Sequence, residues 1–228
     1  MFGAGGSIGA AVAREFAAEG AAVFLAGRTK SNVDEVTKQI TAAGGKAHAA
    51  VIDVLNEGEV SEYIEAIVKQ TGKIDLLLDA TGAAPASMAT ERMPWELPID
   101  ELMVPLTTMV KSRFITARAA ARYVIKQHSC VIIFVTGSPA RGHVPGATAI
   151  GPAFGAIENL TENLAFEVSP FGIRVVCVRT LADSDSRSIQ GTMDFLTGQT
   201  CITKDQAMAQ IAQSNFLKTP ATVQDTAS

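Results

Sequence analysis

The chain has 228 residues, of which 47% are hydrophobic and 18% charged, and its formal net charge is −4. This balance excludes a disordered chain and allows a sizeable buried core. The acidic charge, with no Lys/Arg cluster, argues against a nucleic-acid partner, and no apolar run approaches the roughly 18–20 residues of a membrane span.

Residues 9–19 have helical spacing that Gly20 stops, and the apolar run 21–26 reads as a buried strand. Within 30–43 the residues Val33, Val36 and Ile40 are spaced as on an amphipathic helix, which Gly44 and Gly45 end. A strand is expected over 48–54, an amphipathic helix over 57–71 closed by Gly72, and a third strand over 74–80. A long helix over 110–127, a strand over 130–136, a helix over 152–168 and a strand over 174–178 complete the series. Such alternation with short turns implies parallel strands joined by right-handed crossovers, with helices on both faces. The expected fold is one doubly wound, three-layer αβα domain of Rossmann type over 1–228, lacking its first and last strands. Only Met1-Phe2 precede the glycine turn, and 219–228 starts a helix and stops. Met1 opens straight into glycines without the basic stretch of a signal peptide. Cys130, Cys177 and Cys201 are far apart, odd in number and without metal-ligand spacing. They read as reduced thiols of a cytoplasmic protein that holds no metal.

The turn Gly3-Ala4-Gly5-Gly6-Ser7-Ile8-Gly9 opens the first helix. Glycines there let backbone N–H groups approach a pyrophosphate, and the helix N-terminus adds a favourable partial positive charge. A tight turn kept for close packing, with no phosphate, is the alternative.

In these residues the chain resembles the short-chain dehydrogenase/reductase family, over nearly its whole length. Gly3, Ser7 and Gly9 match the family's Gly-x-x-x-Gly-x-Gly cofactor turn, with Ser7 for the middle glycine. Asp53-Val54 matches the pair that touches the adenine, and Asp79-Ala80-Thr81-Gly82 stands where the family has Asn-Asn-Ala-Gly. Ser138 matches the catalytic serine at a strand end, while Ala156-Ile157-Glu158 and Phe171-Gly172-Ile173-Arg174 match the following helix and the run into the next strand. The resemblance implies a cofactor site formed by Gly3, Gly5, Gly6, Ser7, Ile8, Gly9, Asp53, Val54, Ala80 and Gly82. It also implies a homodimer or homotetramer built on the two long helices. Phe154, Ile157, Leu160, Leu164 and Phe166 give the second of these more apolar surface than one sheet face need cover.

The family's chemistry uses a Tyr as proton donor, a Lys four residues later, the Ser, and an Asn on the long helix. Here the Tyr position falls on Ile150, the Lys position on Phe154 and the Asn position on Met109. Tyr63 and Tyr123 both lie well before Ser138 and cannot come into register. The chain is therefore read as a divergent member lacking the Tyr-x-x-x-Lys pair.

Arg28 follows Gly27 at the end of the strand predicted over 21–26, where an acid would take a ribose 2′-OH, and so tilts the cofactor from NAD(H) towards NADP(H). A solvated Arg at a helix entry is the alternative. Histidine can exchange a proton near neutral pH, so His143 could replace the missing donor, or it could be a plain surface residue. Ser138 either orients a substrate or is a retained strand-end residue. Lys111 and Arg113 read as a solvated helix face, and Asp183-Ser184-Asp185-Ser186 as a flexible polar loop where the family has its substrate lid. The resemblance implies an NAD(P)(H)-dependent oxidoreductase for a small carbonyl/alcohol pair, with atypical or impaired catalysis. The alternatives are a non-catalytic cofactor-binding or scaffolding subunit, and a non-redox enzyme on the same fold.

Overall fold

The computed structural model describes residues 1–82, 92–142, 146–181, 183–199, 203–214, 219 and 221–228. In chain order the elements are α1 (Ser7–Ala18), β1 (Ala22–Gly27), α2 (Lys30–Ala42), β2 (Lys46–Val51), α3 (Glu57–Thr71) and β3 (Leu76–Asp79). They continue with α4 (Ile99–Pro105), a π-helical turn (Leu106–Val110), α5 (Lys111–Gln127), β4 (Cys130–Gly137), α6 (Ile150–Val168) and β5 (Ile173–Thr180). Then come α7 (Arg187–Gln199), α8 (Lys204–Ser214) and α9 (Val223–Ala227).

All strand pairs are parallel: β1 with β2, β3 with β4, and β4 with β5. Phe2 joins the two groups through parallel bridges to Ala26 and Asp79, so the order is β2-β1-Phe2-β3-β4-β5. Its N–H donates to Leu78 O at 2.8 Å, and its carbonyl accepts from Ala80 N–H at 3.0 Å. The place expected to lack a strand is thus bridged by Met1-Phe2, and no strand follows β5 among the described residues.

Side-chain alternation along the strands sorts the core into two faces. Leu77, Ile132, Phe134 and Val175 pack with Val60 and Ile64 of α3, Ala120 and Val124 of α5 and Ile157 of α6. On the other face Leu78 and Val135 meet Val12 of α1, while Val23 and Leu25 meet Ala13, Ala17, Val36 and Ile40. Burial on both faces explains why these strands read as continuous apolar runs. The architecture is the three-layer Rossmann-like arrangement.

Local signals fix the helix ends. The Asn56 side chain accepts from Gly58 N–H and Glu59 N–H at 3.0 Å and 3.3 Å, capping α3, and Gly72 closes it at φ 77°. Pro105 has no N–H to continue the i→i−4 ladder, and the wider π turn carrying Met109 follows it.

The second strand differs from its expected span. It starts at Lys46 and ends at Val51, because β1 provides partners only from Ala22 to Gly27. Asp53 and Val54 therefore lie in the loop beyond it. Cys130 and Cys177 are free thiols, and Cys201 lies outside the described residues. Among the described residues, no helix is long and apolar enough to cross a membrane.

Candidate functional site

The expected cofactor residues gather along the carboxyl edge of the sheet. Gly3 has φ +74°, and a Cβ there would lie 2.7 Å from the Ala80 backbone. A Cβ on Gly9 would lie 2.4 Å from Gly3 O, so neither position admits a side chain. Gly6 N–H closes the turn onto Gly3 O at 3.0 Å, and Gly6 is the N-cap of α1. Ala4 N–H donates to Ala26 O at 3.2 Å, which sets the turn beside the end of β1 and exposed Arg28. Asp53 is exposed: its Oδ1 accepts from Leu55 N–H at 3.0 Å and its own N–H donates to Glu59 at 2.9 Å. Val54 is buried beneath it.

The opposite end of this edge is apolar. Ser138 follows β4, opens a short 3-10 turn (Ser138–Ala140) and is half-buried. Met109, Ile150 and Phe154 are all buried in the same cluster. The Phe154 ring fits against Gly137, whose added Cβ would lie 3.0 Å from Cε2. His143 lies outside the described residues.

A buried ion pair under this edge corrects the reading of Arg113 as solvated. Lys111 is exposed as expected, whereas Arg113 is 1% exposed and Asp79 0%. Arg113 donates from Nη1 to Thr81 O at 2.5 Å and from Nη2 to Val135 O at 3.2 Å, and Nη1 lies 3.8 Å from Asp79 Oδ1. Asp79 accepts from Thr81 N–H at 2.9 Å and from Thr116 Oγ1 at 3.1 Å. Burial pulls the guanidinium below its ordinary pKa, against the opposing pull of Asp79. The missed signal was Asp79 itself: a carboxylate ending the apolar run Leu76-Leu77-Leu78 needs a cation.

A second cluster sits one turn beyond Phe154 on α6. Glu158 accepts from Arg179 Nε and Nη2 at 2.6 Å and 2.8 Å, and from Arg141 Nε at 3.0 Å. The Arg179 hydrogen bonds, and then those from Arg141, hold its carboxyl below the usual pKa despite some burial. This cluster fastens the end of β5 to α6 beside Ser138.

The segment expected to be a flexible polar loop is instead tied down. Asp183 is 2% exposed and accepts from Thr226 Oγ1 at 2.8 Å, while Asp185 Oδ1 accepts from Val223 N–H at 2.7 Å. Ser184 N–H donates to Ala221 O at 2.8 Å. The next residue, Arg187, reaches the glycine turn: its N–H donates to Ser7 Oγ at 3.1 Å and its Nη2 to Gly5 O at 2.5 Å. A cleft of about 360 Å³ opens here, lined by Gly5, Gly6, Ser7, Arg14, Asn32 and Arg187 among others.

Fold and turn together define a doubly wound α/β chain with a glycine cradle at its carboxyl edge. The family described as short chain dehydrogenase matches residues 1–182, and the chain belongs to that family. It is 30% identical over 175 residues to gluconate 5-dehydrogenase of Gluconobacter oxydans (strain 621H), a match covering 76% of this chain. That stretch spans 66% of the relative, just under two thirds of its length. Among solved structures, NAD⁺-bound xylitol dehydrogenase superposes with TM-score 0.88 at 24% identity, covering 98% of this chain and 86% of that one. An NADPH-dependent reductase involved in bacilysin biosynthesis superposes with TM-score 0.86 at 18% identity, over 99% and 86% of the two chains. These two likenesses establish the fold.

Proposed function

We propose that this chain holds a nicotinamide dinucleotide along the carboxyl edge of its sheet. With it the chain interconverts a small carbonyl compound and its alcohol, without a tyrosine–lysine proton relay. The carrying observation is the glycine turn, where a Cβ on Gly3 or Gly9 would collide with backbone at 2.7 Å or 2.4 Å. Bare glycine lets the turn close this tightly against the sheet edge, which sets the N-terminus of α1 there as a place where a phosphate could bind. Gly5, Gly6, Ser7 and Ile8 would hold the phosphates, and Asp53, Val54, Ala80 and Gly82 would border the adenosine. Similar proteins include an NAD⁺-bound and an NADPH-dependent one, and exposed Arg28 favours NADP(H) in this chain.

The dinucleotide, when bound, supplies or takes the hydride. The coupled proton falls to this chain's own residues, and buried Met109, Ile150 and Phe154 can neither donate nor hold one. Ser138 is the retained hydroxyl of the family's set, and His143 is the other candidate donor. General acid catalysis is typically worth ~10²–10⁴-fold, so turnover is expected to be slow. The same burial favours a second reading, a cofactor-binding subunit without chemistry of its own. In either reading we take 1–228 as one cytoplasmic domain that associates with copies of itself.

The test is NADPH oxidation by the full chain across a panel of aldehydes and ketones. Turnover lost in Ser138→Ala supports the enzyme reading, dinucleotide binding without turnover supports the second, and no binding removes both.

A further inference from the structure

The side chain best placed to grip an anion at the glycine turn comes from the other end of the chain. We propose that Arg187 is a phosphate clamp for the bound dinucleotide. The proposal rests on the cofactor reading above and names a binding residue for that same site.

Three observations carry it. The first is placement: Arg187 touches the cradle twice, through its N–H to Ser7 Oγ at 3.1 Å and its guanidinium to Gly5 O at 2.5 Å. The second is spare capacity. A guanidinium has five donors in a planar fork, and the contact to Gly5 O uses Nη2 alone. Arg187 is exposed and, with Gly6 and Ser7, lines a cleft that continues between α1 and α2, so its remaining donors lie open beside the turn. The third is the mount. Asp183, Ser184 and Asp185 anchor the preceding residues to 221–228 by hydrogen bonds of 2.7–2.8 Å, so the clamp is pre-positioned rather than swinging in solvent.

The cleft also carries two carboxylates, Glu35, which accepts from Gln39 Nε2 at 2.9 Å, and Asp185, which accepts from Val223 N–H; both keep their charge and oppose an anion that Arg187 attracts. Arg14, the other lining cation, donates to Gln39 Oε1 at 3.2 Å. Arg187 is therefore the cation in direct contact with the turn. The ligand atom is a phosphoryl oxygen, either of the pyrophosphate or of the 2′-phosphate.

The experiment titrates full-length wild type, Arg187→Gln and Arg187→Lys with NADPH and with NADH by fluorescence, alongside thermal unfolding of each apo protein. Losing one charge-assisted hydrogen bond predicts a roughly tenfold to hundredfold rise in Kd for Arg187→Gln at unchanged apo Tm, partly recovered in Arg187→Lys. A rise for both dinucleotides supports the clamp and assigns it to the pyrophosphate, and a rise for NADPH alone supports it at the 2′-phosphate. Wild-type affinity for both in Arg187→Gln overturns the clamp while leaving the cofactor reading intact. Failure of wild type to bind either dinucleotide overturns both together.

Discussion

Replacing Arg113 by Met tests whether the buried pair beneath the site holds the sheet's carboxyl edge together. The substitution roughly conserves volume but removes the contacts to Thr81 O, Val135 O and Met109 O and the charge facing Asp79. Asp79 keeps its bonds from Thr81 N–H and Thr116 Oγ1, so the cost should fall near the lower end of the ~3–5 kcal/mol typical of a broken buried pair. For a chain of this size each kcal/mol lowers Tm by about 2–4 °C, giving a fall on the order of 10 °C. The assay is thermal unfolding of wild type, Arg113→Met, Asp79→Asn and the double variant. Because Asp79→Asn removes the stranded charge, the double variant should lose less than the sum of the two singles. A Tm drop under 2 °C for Arg113→Met, or strict additivity, would refute the coupling.

The combined substitution Ile150→Tyr with Phe154→Lys restores a proton donor and its partner near Ser138. NADPH-dependent carbonyl reduction should rise above a near-background wild type, at some loss of stability from burying a lysine where Phe154 packs on Gly137; unchanged rates would place the limiting defect elsewhere. Glu158 has a depressed folded-state pKa, so its contribution to stability is complete above its unfolded value near 4.5 and is lost as pH falls through the folded value. The urea midpoint of wild type should therefore fall more steeply than that of Glu158→Gln between about pH 5 and 3, and parallel curves would contradict the ion cluster. Phe166 on α6 is 83% exposed and Phe114 on α5 45%, so light scattering should find dimers or tetramers that Phe166→Glu dissociates, whereas monomeric wild type would end that expectation.

The sequence carried most of the fold because its signals are local. Gly20, Gly44 and Gly72 stop helices, and runs such as Val131-Ile132-Ile133-Phe134 leave little choice but a strand buried on both faces. The end of β2 was not local: it is set by how far β1 runs beside it, which pairing alone reveals. Arg113 shows the limit of helical periodicity, since a charged residue on a helix reads as solvated until Asp79 and the carbonyls of Thr81 and Val135 prove to lie opposite. The stretch 183–186 has the composition of a mobile loop, yet it is held by partners some 40 residues later in the chain (Thr226 lies 43 beyond Asp183). The glycine turn was legible, because glycines can be counted in a sequence, and so was the apolar character of Met109, Ile150 and Phe154, all three of which are buried. Arg187 was not, because nothing near it in the chain points to Ser7.

The most direct measurement is titration of the full-length wild-type chain with NADPH and NADH, followed by fluorescence, with Gly9→Ala as the control for the turn. Saturable binding, tighter for NADPH and lost in Gly9→Ala, is the predicted result. A wild-type chain that unfolds in one sharp thermal transition yet binds neither dinucleotide would contradict the account at its centre.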